Sequence, residues 1–430
     1  MGHDRVEHDQ PEPKVIVVGA GAAGLFGAIA CAEACPDAQI DILEAGREPL
    51  TKVRISGGGR CNVTHACFDP ALLVTAYPRG SRALRGPFSR FQPRDTVAWF
   101  QQRGVALKTE ADGRMFPTTD DSGTIIDCLL GEARRLGIRL HMGQPVRQAS
   151  RTDQGFTLTT KAGASWRCDR LFLTTGSSPA GYALAQSLGH QILAPVPSLF
   201  TFNLRDPALH TLAGVSVNSV ALKLTLAEEK PLKQTGPLLI THWGLSGPAV
   251  LKLSAYGAIS LRRQRYQATL AINWLPDLTQ AQVRQTLLSL KQDQGKRPVA
   301  AFSPFPVLPR RLWQYLAQHR AHLGTALNWA DLSKGQLQAL VTALTQGEYA
   351  IAGKGVFKEE FVTCGGIPLP EVDLKTSESR CCPGLYFAGE ILNIDGITGG
   401  FNFQSAWTTS WLAGQAIARQ RKAEDKKAEG

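Results

Sequence analysis

The chain has 430 residues, 43% hydrophobic and 19% charged, the balance of a globular protein with room for two or three domains. Its net charge is +11, and its nine cysteines include neither a C-x-x-C pair nor a Cys/His cluster at zinc-ligand spacing, so no metal is expected. The odd, scattered cysteines, and an acidic start (Asp4, Glu7, Asp9, Glu12) unlike a basic leader, fit reduced thiols in a cytoplasm.

The first fifty residues carry the strongest signal. Residues 14–18 read as a short parallel strand buried on both faces. Gly19, Gly21 and Gly24 follow at G-x-G-x-x-G spacing, and residues 25–34 continue as a small-residue helix. In this pattern the first glycine makes the tight turn, the second lets a pyrophosphate approach the backbone, and the third lets helix and strand pack closely. The helix start, with Ala22 and Ala23, offers free N–H groups and a positive dipole end to phosphates. A second strand, residues 40–43, ends at Glu44 and Ala45, where a carboxylate can accept ribose hydroxyls. Dinucleotide binding is expected. Residues 15–32 are also an uncharged run long enough to suggest a membrane span, but the acidic flank and the glycine spacing argue against it.

Strand and helix signals alternate up to about residue 189. A helix is expected over 124–135, a strand over 138–142 and a hairpin over 155–160 and 165–168. A buried strand over 171–174 stops at Thr175 and Gly176, a place where α/β sheets meet their ligands. Pro195 and Pro197 then mark a boundary. Residues 215–226, 238–241 and 266–272 read as strands, and helices are expected over 280–291, 311–322 and 334–344. Strand signals return over 356–364 and 384–389, before a closing helix over 403–419. Both chain ends, 1–13 and 419–430, are polar and expected to lack structure. The architecture implied is one α/β domain split by an inserted β piece and an inserted α piece.

Two further glycine clusters close on the same ligand. Ser56-Gly57-Gly58-Gly59-Arg60-Cys61-Asn62 suits neither helix nor strand interior; its glycines let backbone amides converge, with Arg60 available for charge. A flexible surface loop is the alternative. Near the end, a strand delivers Gly389 and Glu390, and a Gly-Gly pair opens the last helix. That helix start can face the electron-rich edge of a flavin, which gains negative charge on reduction. An NAD-only domain has no use for such a piece, whereas FAD must be gripped far from its adenosine, so FAD is the expected cofactor.

With these motifs in view, the chain resembles the HI0933/YhiN-type flavoproteins, a family with aminoacetone oxidase-like and bile-acid reductase-like members. The resemblance runs from about residue 14 to 415. It rests on the first glycine motif, on Lys52 with the S-G-G-G-R-C-N string at 56–62, on G-R-M-F-P at 113–117, on T-H-W-G-L-S-G-P-A at 241–249, and on the stretch 389–404. It implies a Rossmann-like FAD domain in two parts, 14–195 and 351–420, interrupted by a β-barrel (196–275) and a small helical domain (276–350). It also implies that Lys52, Ser56, Gly57, Gly58, Arg60, Cys61 and Asn62 line the cofactor. Gly389, Glu390, Gly400, Phe401, Asn402, Phe403 and Gln404 would do the same from the far end of the chain, and Val146 would touch the adenine through its backbone. Two departures stand out. The loop between Gly176 and Gly181-Tyr182 is shorter than the family's, and Asn393 stands where the family carries Asp.

The reading that follows is an FAD-dependent oxidoreductase acting on a small molecule by hydride or electron transfer. No second G-x-G-x-x-G is followed by an acidic strand, so NAD(P)H would bind transiently, and oxygen is the other candidate partner. No His/Asp or paired-carboxylate set marks a general base. His242 and Cys61 are the candidate catalytic side chains, with a turn hydrogen bond and an inert thiol as their alternatives. Residues 205–325 hold fifteen Lys/Arg against five Asp/Glu. A flavoprotein binding or modifying nucleic acid through this basic insert is therefore the alternative function, although interleaved aromatics of a nucleic-acid module are absent.

Overall fold

The computed structural model describes residues 14–227, 229–355 and 362–428. The chain forms two units: a first built from the segment up to Pro195 and the segment from Thr363 onward, and a second spanning Val196–Val362.

The first unit holds a 7-stranded sheet. Its strands are β1 (Lys14–Val18), β2 (Gln39–Leu43), β3 (Arg139–His141), β4 (Arg170–Leu173), β5 (Val372–Asp373), β6 (Glu378–Ser379) and β7 (Leu385–Phe387). They lie in the order β5-β6-β7-β4-β1-β2-β3. The four pairings from β7 to β3 are parallel, and β5 and β6 add an antiparallel edge. Two helices, α1 (Ala22–Ala34) and α2 (Phe401–Ala428), pack on one face. Alternate residues serve the two faces. Val15, Val17, Ile40, Ile42 and Phe172 join α1 and α2, while Ile16, Val18, Leu171, Leu173 and Phe387 join a core reaching the three-stranded hairpin sheet at Val146–Thr152, Gly155–Thr160 and Ser165–Cys168. Burial on both faces explains why these strands read as continuous apolar runs.

The uncharged stretch 15–32 has the same origin. Residues Ala23 to Ala32 of α1 are all buried. Close helix contact follows from small side chains: a Cβ on Gly414 of α2 would lie 2.7 Å from the backbone nitrogen of Cys31. Among the described residues, no helix is long and apolar enough to cross a membrane.

The second unit is organised around a closed barrel of six strands, Phe202–Leu204, Gly244–Ser246, Leu232–Thr241, Ser216–Thr225, Ala268–Asn273 and Gly347–Lys354, in that order. Along Ser216–Thr225, Val220, Leu222 and Leu224 turn inward at the alternation of a half-buried strand, and Val217 is also buried, on the other side of a register shift. Two features depart from the sequence reading. A helix, Pro248–Arg263, interrupts the stretch read as β; it starts with Pro at its first turn and buries Ala249, Val250, Leu253, Ala258 and Leu261. The barrel is also closed by Gly347–Lys354, which pairs with Ala268–Asn273 and with Phe202–Leu204 only after the helices Gln280–Asp293 and Lys334–Gln346 have been traversed. Those helices begin at capping boxes, Thr279 with Gln282 and Ser333 with Gln336.

The strand expected over 356–364 falls partly outside the described residues; Val362–Gly366 is a strand. The C-terminal tail expected to lack structure instead continues α2 to Ala428, whereas residues 1–13 lie outside the described residues.

Candidate functional site

The first glycine turn is built by interlocking contacts. The N–H of Gly19 donates to Leu43 O at 2.9 Å, tying the end of β1 to β2. A Cβ on Gly24 would lie 1.9 Å from Gly19 O and 2.7 Å from Thr174 Oγ1, so only glycine permits α1 to start this close to the strand ends. Gly21 is different. It is the N-cap of α1, in extended conformation with no side-chain cap, and a Cβ there would meet nothing within 4 Å. The helix start carrying Ala22 and Ala23 therefore borders open space with backbone donors and the positive dipole end directed along its axis.

Glu44, at the end of β2, is fixed rather than free. Its Oε2 accepts the N–H of Ala20 at 2.6 Å and its Oε1 the N–H of Gly46 at 2.7 Å. Each oxygen keeps acceptor capacity for a further donor. The turn at Ala45 is held against residues 143–144 by Gln144 N–H to Glu44 O, 2.7 Å, and Gly143 N–H to Gly46 O, 3.0 Å. Val146 follows at the head of its strand, with its side chain in the core.

The second glycine turn follows the short helix Thr51–Ile55 and Ser56. Gly57, Gly58 and Gly59 have φ of 59°, 71° and 86°, a run of left-handed backbone that L side chains resist. Arg60 is not available as a bare charge. Its guanidinium pairs with Glu110 at 2.6 Å and Asp120 at 3.5 Å, and lies 4.0 Å over the Phe116 ring. Cys61 is fully buried, and burial pushes its thiol up to about 12 against the weaker pull of a hydrogen bond with Ser56. A neutral, enclosed thiol packs rather than reacts, which favours the inert alternative for Cys61. Asn62 continues into the strand at Thr64–His65.

The third segment joins the first two. Glu390 pairs with Lys52 at 2.6 Å and accepts the N–H of Thr363 at 3.0 Å. Asn393 accepts the N–H of Gly365 at 3.1 Å through its amide oxygen. Asp395 is fully buried and paired with Arg79, a contact the sequence reading missed because 316 residues separate the partners. At the start of α2, Phe401 stacks on His65 with centroids 4.6 Å apart, and Phe403 stacks on Trp407. Asn402 is turned to the backbone of Gly396, accepting its N–H at 2.8 Å and donating to its O at 2.9 Å. Gln404 is fully buried: its Oε1 accepts from Thr64 at 2.6 Å and Thr96 at 2.9 Å, and its Nε2 donates to Thr408. The side chains of Asn402 and Gln404 thus hold the helix start in place.

Beyond β4, Thr174 Oγ1 donates to the carbonyls of Val18 and Gly19, both at 3.0 Å. Gly176 has φ of 59°. Two hydroxyls in this neighbourhood, Thr175 Oγ1 and Tyr182 Oη, are buried with no hydrogen-bond partner among the described residues. Burial, reinforced by the Glu390 and Cys364 groups, pushes the Tyr182 phenol well up, so it is a protonated donor. Nothing in its sequence context marked Tyr182 beyond its place after Gly181. His242 belongs to the second unit, exposed in the turn between Leu232–Thr241 and Gly244–Ser246.

These residues fit a dinucleotide. The α1 start is open where only backbone is presented, the acidic strand end is fixed beside it, and buried hydroxyls lack partners. They define an FAD-dependent oxidoreductase of the Rossmann type. The chain belongs to the family of the HI0933-like protein Rossmann domain, which matches residues 13–416. It is 31% identical over 418 residues to the ribosomal RNA dihydrouridine synthase of Escherichia coli K12, covering 94% of this chain and 97% of that protein. It is 29% identical over 417 residues to the 3-dehydro-bile acid delta(4,6)-reductase of Clostridium scindens, covering 95% and 99%. The fold is also that of 3-ketosteroid-delta4-(5alpha)-dehydrogenase from Rhodococcus jostii RHA1, at a TM-score of 0.51 and 16% identity over 96% of this chain and 99% of that one.

Proposed function

We propose that the protein reduces a carbon–carbon double bond conjugated with a carbonyl, using FAD held non-covalently and a transiently bound nicotinamide as reductant. The two curated relatives support this class through their shared chemistry. A delta(4,6)-reductase and a dihydrouridine synthase each add two hydrogens across a double bond that a carbonyl activates. The bound flavin supplies hydride.

The observation that carries the proposal is the buried, unpartnered Tyr182 hydroxyl in the same unit as the nucleotide turn. Hydride addition to an activated alkene leaves a carbanion equivalent that needs a proton, and the Tyr182 hydroxyl, protonated at neutral pH and lacking a partner among the described residues, can donate one. The α1 start and Glu44 would hold the adenosine diphosphate half of the cofactor. Lys52, paired with Glu390, and the turn at Gly57–Gly59 would border its flavin half.

The test has two stages. Denaturing release and chromatography should identify FAD in the purified protein. Anaerobic reduction by NADH or NADPH should then be followed by loss of an enone's absorbance on adding a 3-oxo-4-ene steroid acid. FAD-loaded protein that reduces neither this substrate nor uridine in RNA overturns the proposal.

A second reading places the double bond in a uracil of ribosomal RNA. It is favoured by the Escherichia coli relative and by the excess of ten positive charges over residues 205–325. Several of these cations are engaged internally: Arg311 donates to the Thr211 carbonyl, and Arg320 lies 3.9 Å from Asp206 and 4.3 Å from the Tyr349 ring centroid. RNA binding that weakens steeply with salt, together with dihydrouridine formation, would select this reading over the small-molecule one.

A further inference from the structure

All nine cysteines are free thiols, and burial silences most of them. It pushes Cys31, Cys61 and Cys168 up to about 12 and the half-buried Cys128 up to about 11. Since the thiolate is the nucleophile, such groups are inert at neutral pH. Cys381, in the turn between β6 and β7, is exposed and stands in a different setting.

Three side chains surround it. His190 Nδ1 is 2.7 Å from Glu371 Oε2, His190 Nε2 is 2.8 Å from Ser379 Oγ, and Cys381 Sγ is 3.3 Å from the same Nε2. The proton positions follow by elimination. Ser379 Oγ accepts the N–H groups of Cys381 at 3.2 Å and Cys382 at 2.8 Å, which occupies both its lone pairs. A carboxylate only accepts, so Nδ1 is the nitrogen that donates to Glu371 and, in the neutral ring, Nε2 is the acceptor facing the Ser379 hydroxyl and the Cys381 thiol. Desolvation lowers the pKa of His190 despite that carboxylate, so the imidazole rests neutral, with the lone pair a base requires. The His190 side chain is fully enclosed and packs against the Phe387 ring at 4.7 Å, which fixes its orientation. Charged neighbours are Arg380, 3.8 Å from Asp373, and Arg151, which donates to the Pro383 carbonyl and lies near Cys382; Glu378 accepts the N–H of Gly384.

We propose that Cys381 is a reactive surface thiol, activated by His190 and Glu371, that exchanges with low-molecular-weight disulfides to form a mixed disulfide. The Cys381 proton passes to His190 Nε2, leaving a thiolate beside an imidazolium whose other nitrogen donates to Glu371. The Ser379 hydroxyl, 3.5 Å from Sγ, is then free to turn from the imidazolium to the thiolate. The thiolate attacks one sulfur of the small disulfide and its S–S bond breaks. The departing thiolate takes the proton from His190, so one small thiol is released and Cys381 is oxidised to the disulfide level. Acyl transfer, the other chemistry of a Cys–His–carboxylate set, is disfavoured. The amides of Cys381 and Cys382, which an oxyanion hole would need, are occupied by Ser379.

The full protein with its bound flavin would be incubated with oxidised glutathione at neutral pH and mapped by peptide mass spectrometry, and its iodoacetamide alkylation rate would be followed near pH 6.5. One adduct at Cys381 is expected, absent in Cys381→Ser, with alkylation at least ~10-fold faster than that of free cysteine, which is mostly protonated there. Glu371→Gln should bring the rate down several-fold and His190→Gln to that of an ordinary exposed thiol. Should the His190 variant fail to fold, the partly exposed Glu371 position decides alone. Alkylation of Cys381 at the free-cysteine rate, an unchanged rate in Glu371→Gln, or an adduct on Cys67 in its place would overturn the proposal.

Discussion

Helices α1 and α2 both start from glycine-rich turns and both run through the interior of the first unit, yet they are buried by opposite means. From Ala23 to Ala32, α1 presents only Ala, Gly, Leu, Phe, Ile and Cys. Across its first turns α2 buries Gln404, Ser405, Thr408, Thr409 and Ser410, and each of these side chains is hydrogen-bonded internally. Among the described residues, no side chain caps the start of the apolar helix. The polar helix uses its side chains to hold neighbouring segments: Gln404 binds Thr64 and Thr96, Thr408 donates to Phe91 O, and Trp407 Nε1 donates to Val63 O at 2.9 Å. A glycine-rich helix start is therefore no guide by itself to which side chains meet a cofactor.

The largest effect should come from removing α2 altogether. A chain ending at Gly355 keeps the α1 start but loses Glu390 and every α2 contact, and it should retain no FAD after gel filtration. Flavin retained at wild-type stoichiometry would show that α1 suffices and would break the two-part site.

Within α1, Gly24→Val and Gly21→Ala separate packing from ligand contact. The first forces a side chain into Gly19 O and should destabilise by about 3 kcal/mol or more, seen as a lowered Tm. The second meets open space and should leave the Tm of the flavin-free protein almost unchanged while weakening FAD binding. Equal Tm losses in both would erase the distinction.

For α2, Gln404→Leu removes the amide that accepts from the buried Thr64 and Thr96 hydroxyls and donates to Thr408, at a cost of about 1–3 kcal/mol by thermal or urea denaturation. A near-neutral result would mean that water enters and the side chain is not structural. Glu44→Gln should weaken FAD retention by about 1.5–3 kcal/mol, measured by flavin release on dilution, since a charged acceptor is replaced by a neutral one.

The smallest effect concerns Asp41 on β2. Burial favours its neutral form, but hydrogen bonds from Arg139 and His141, at 2.8 and 2.7 Å, hold its carboxyl below the usual carboxylate range. A lowered folded-state value means stability that is present above the unfolded value of about 3.9 and lost as pH falls through the folded one. The gap in denaturation midpoint between wild type and Asp41→Asn should therefore be constant above about pH 4 and shrink progressively as pH falls below it; a gap that stays the same size as pH falls further contradicts this assignment.

Much of the first unit was legible in the sequence. The glycine spacing, the apolar strand and the acid at Glu44 are local, and each has one mechanical reason to exist. What could not be read depended on distant partners. Arg60 looked available because Glu110, its counter-charge, lies 50 residues on. The internal partners of the Gln404 and Asn402 side chains are likewise set only by folding. His190 and Cys381 lie 191 residues apart and showed no motif. In the second unit, helix Pro248–Arg263 was hidden between strands, and the closing strand Gly347–Lys354 lay beyond two helices that suggested a separate domain.

The sheet order also has a kinetic side. β4 pairs with β1 on one edge and with β7 on the other, yet β7 is synthesised roughly two hundred residues after β4. At about 5–20 residues per second, β4 stays an unpaired edge of apolar sequence for tens of seconds on the ribosome. Such an edge recruits other strands, so the nascent chain is open to aggregation over that interval. Ribosome-bound chains halted before residue 385 should accordingly bind chaperones more strongly than chains released after α2 is complete.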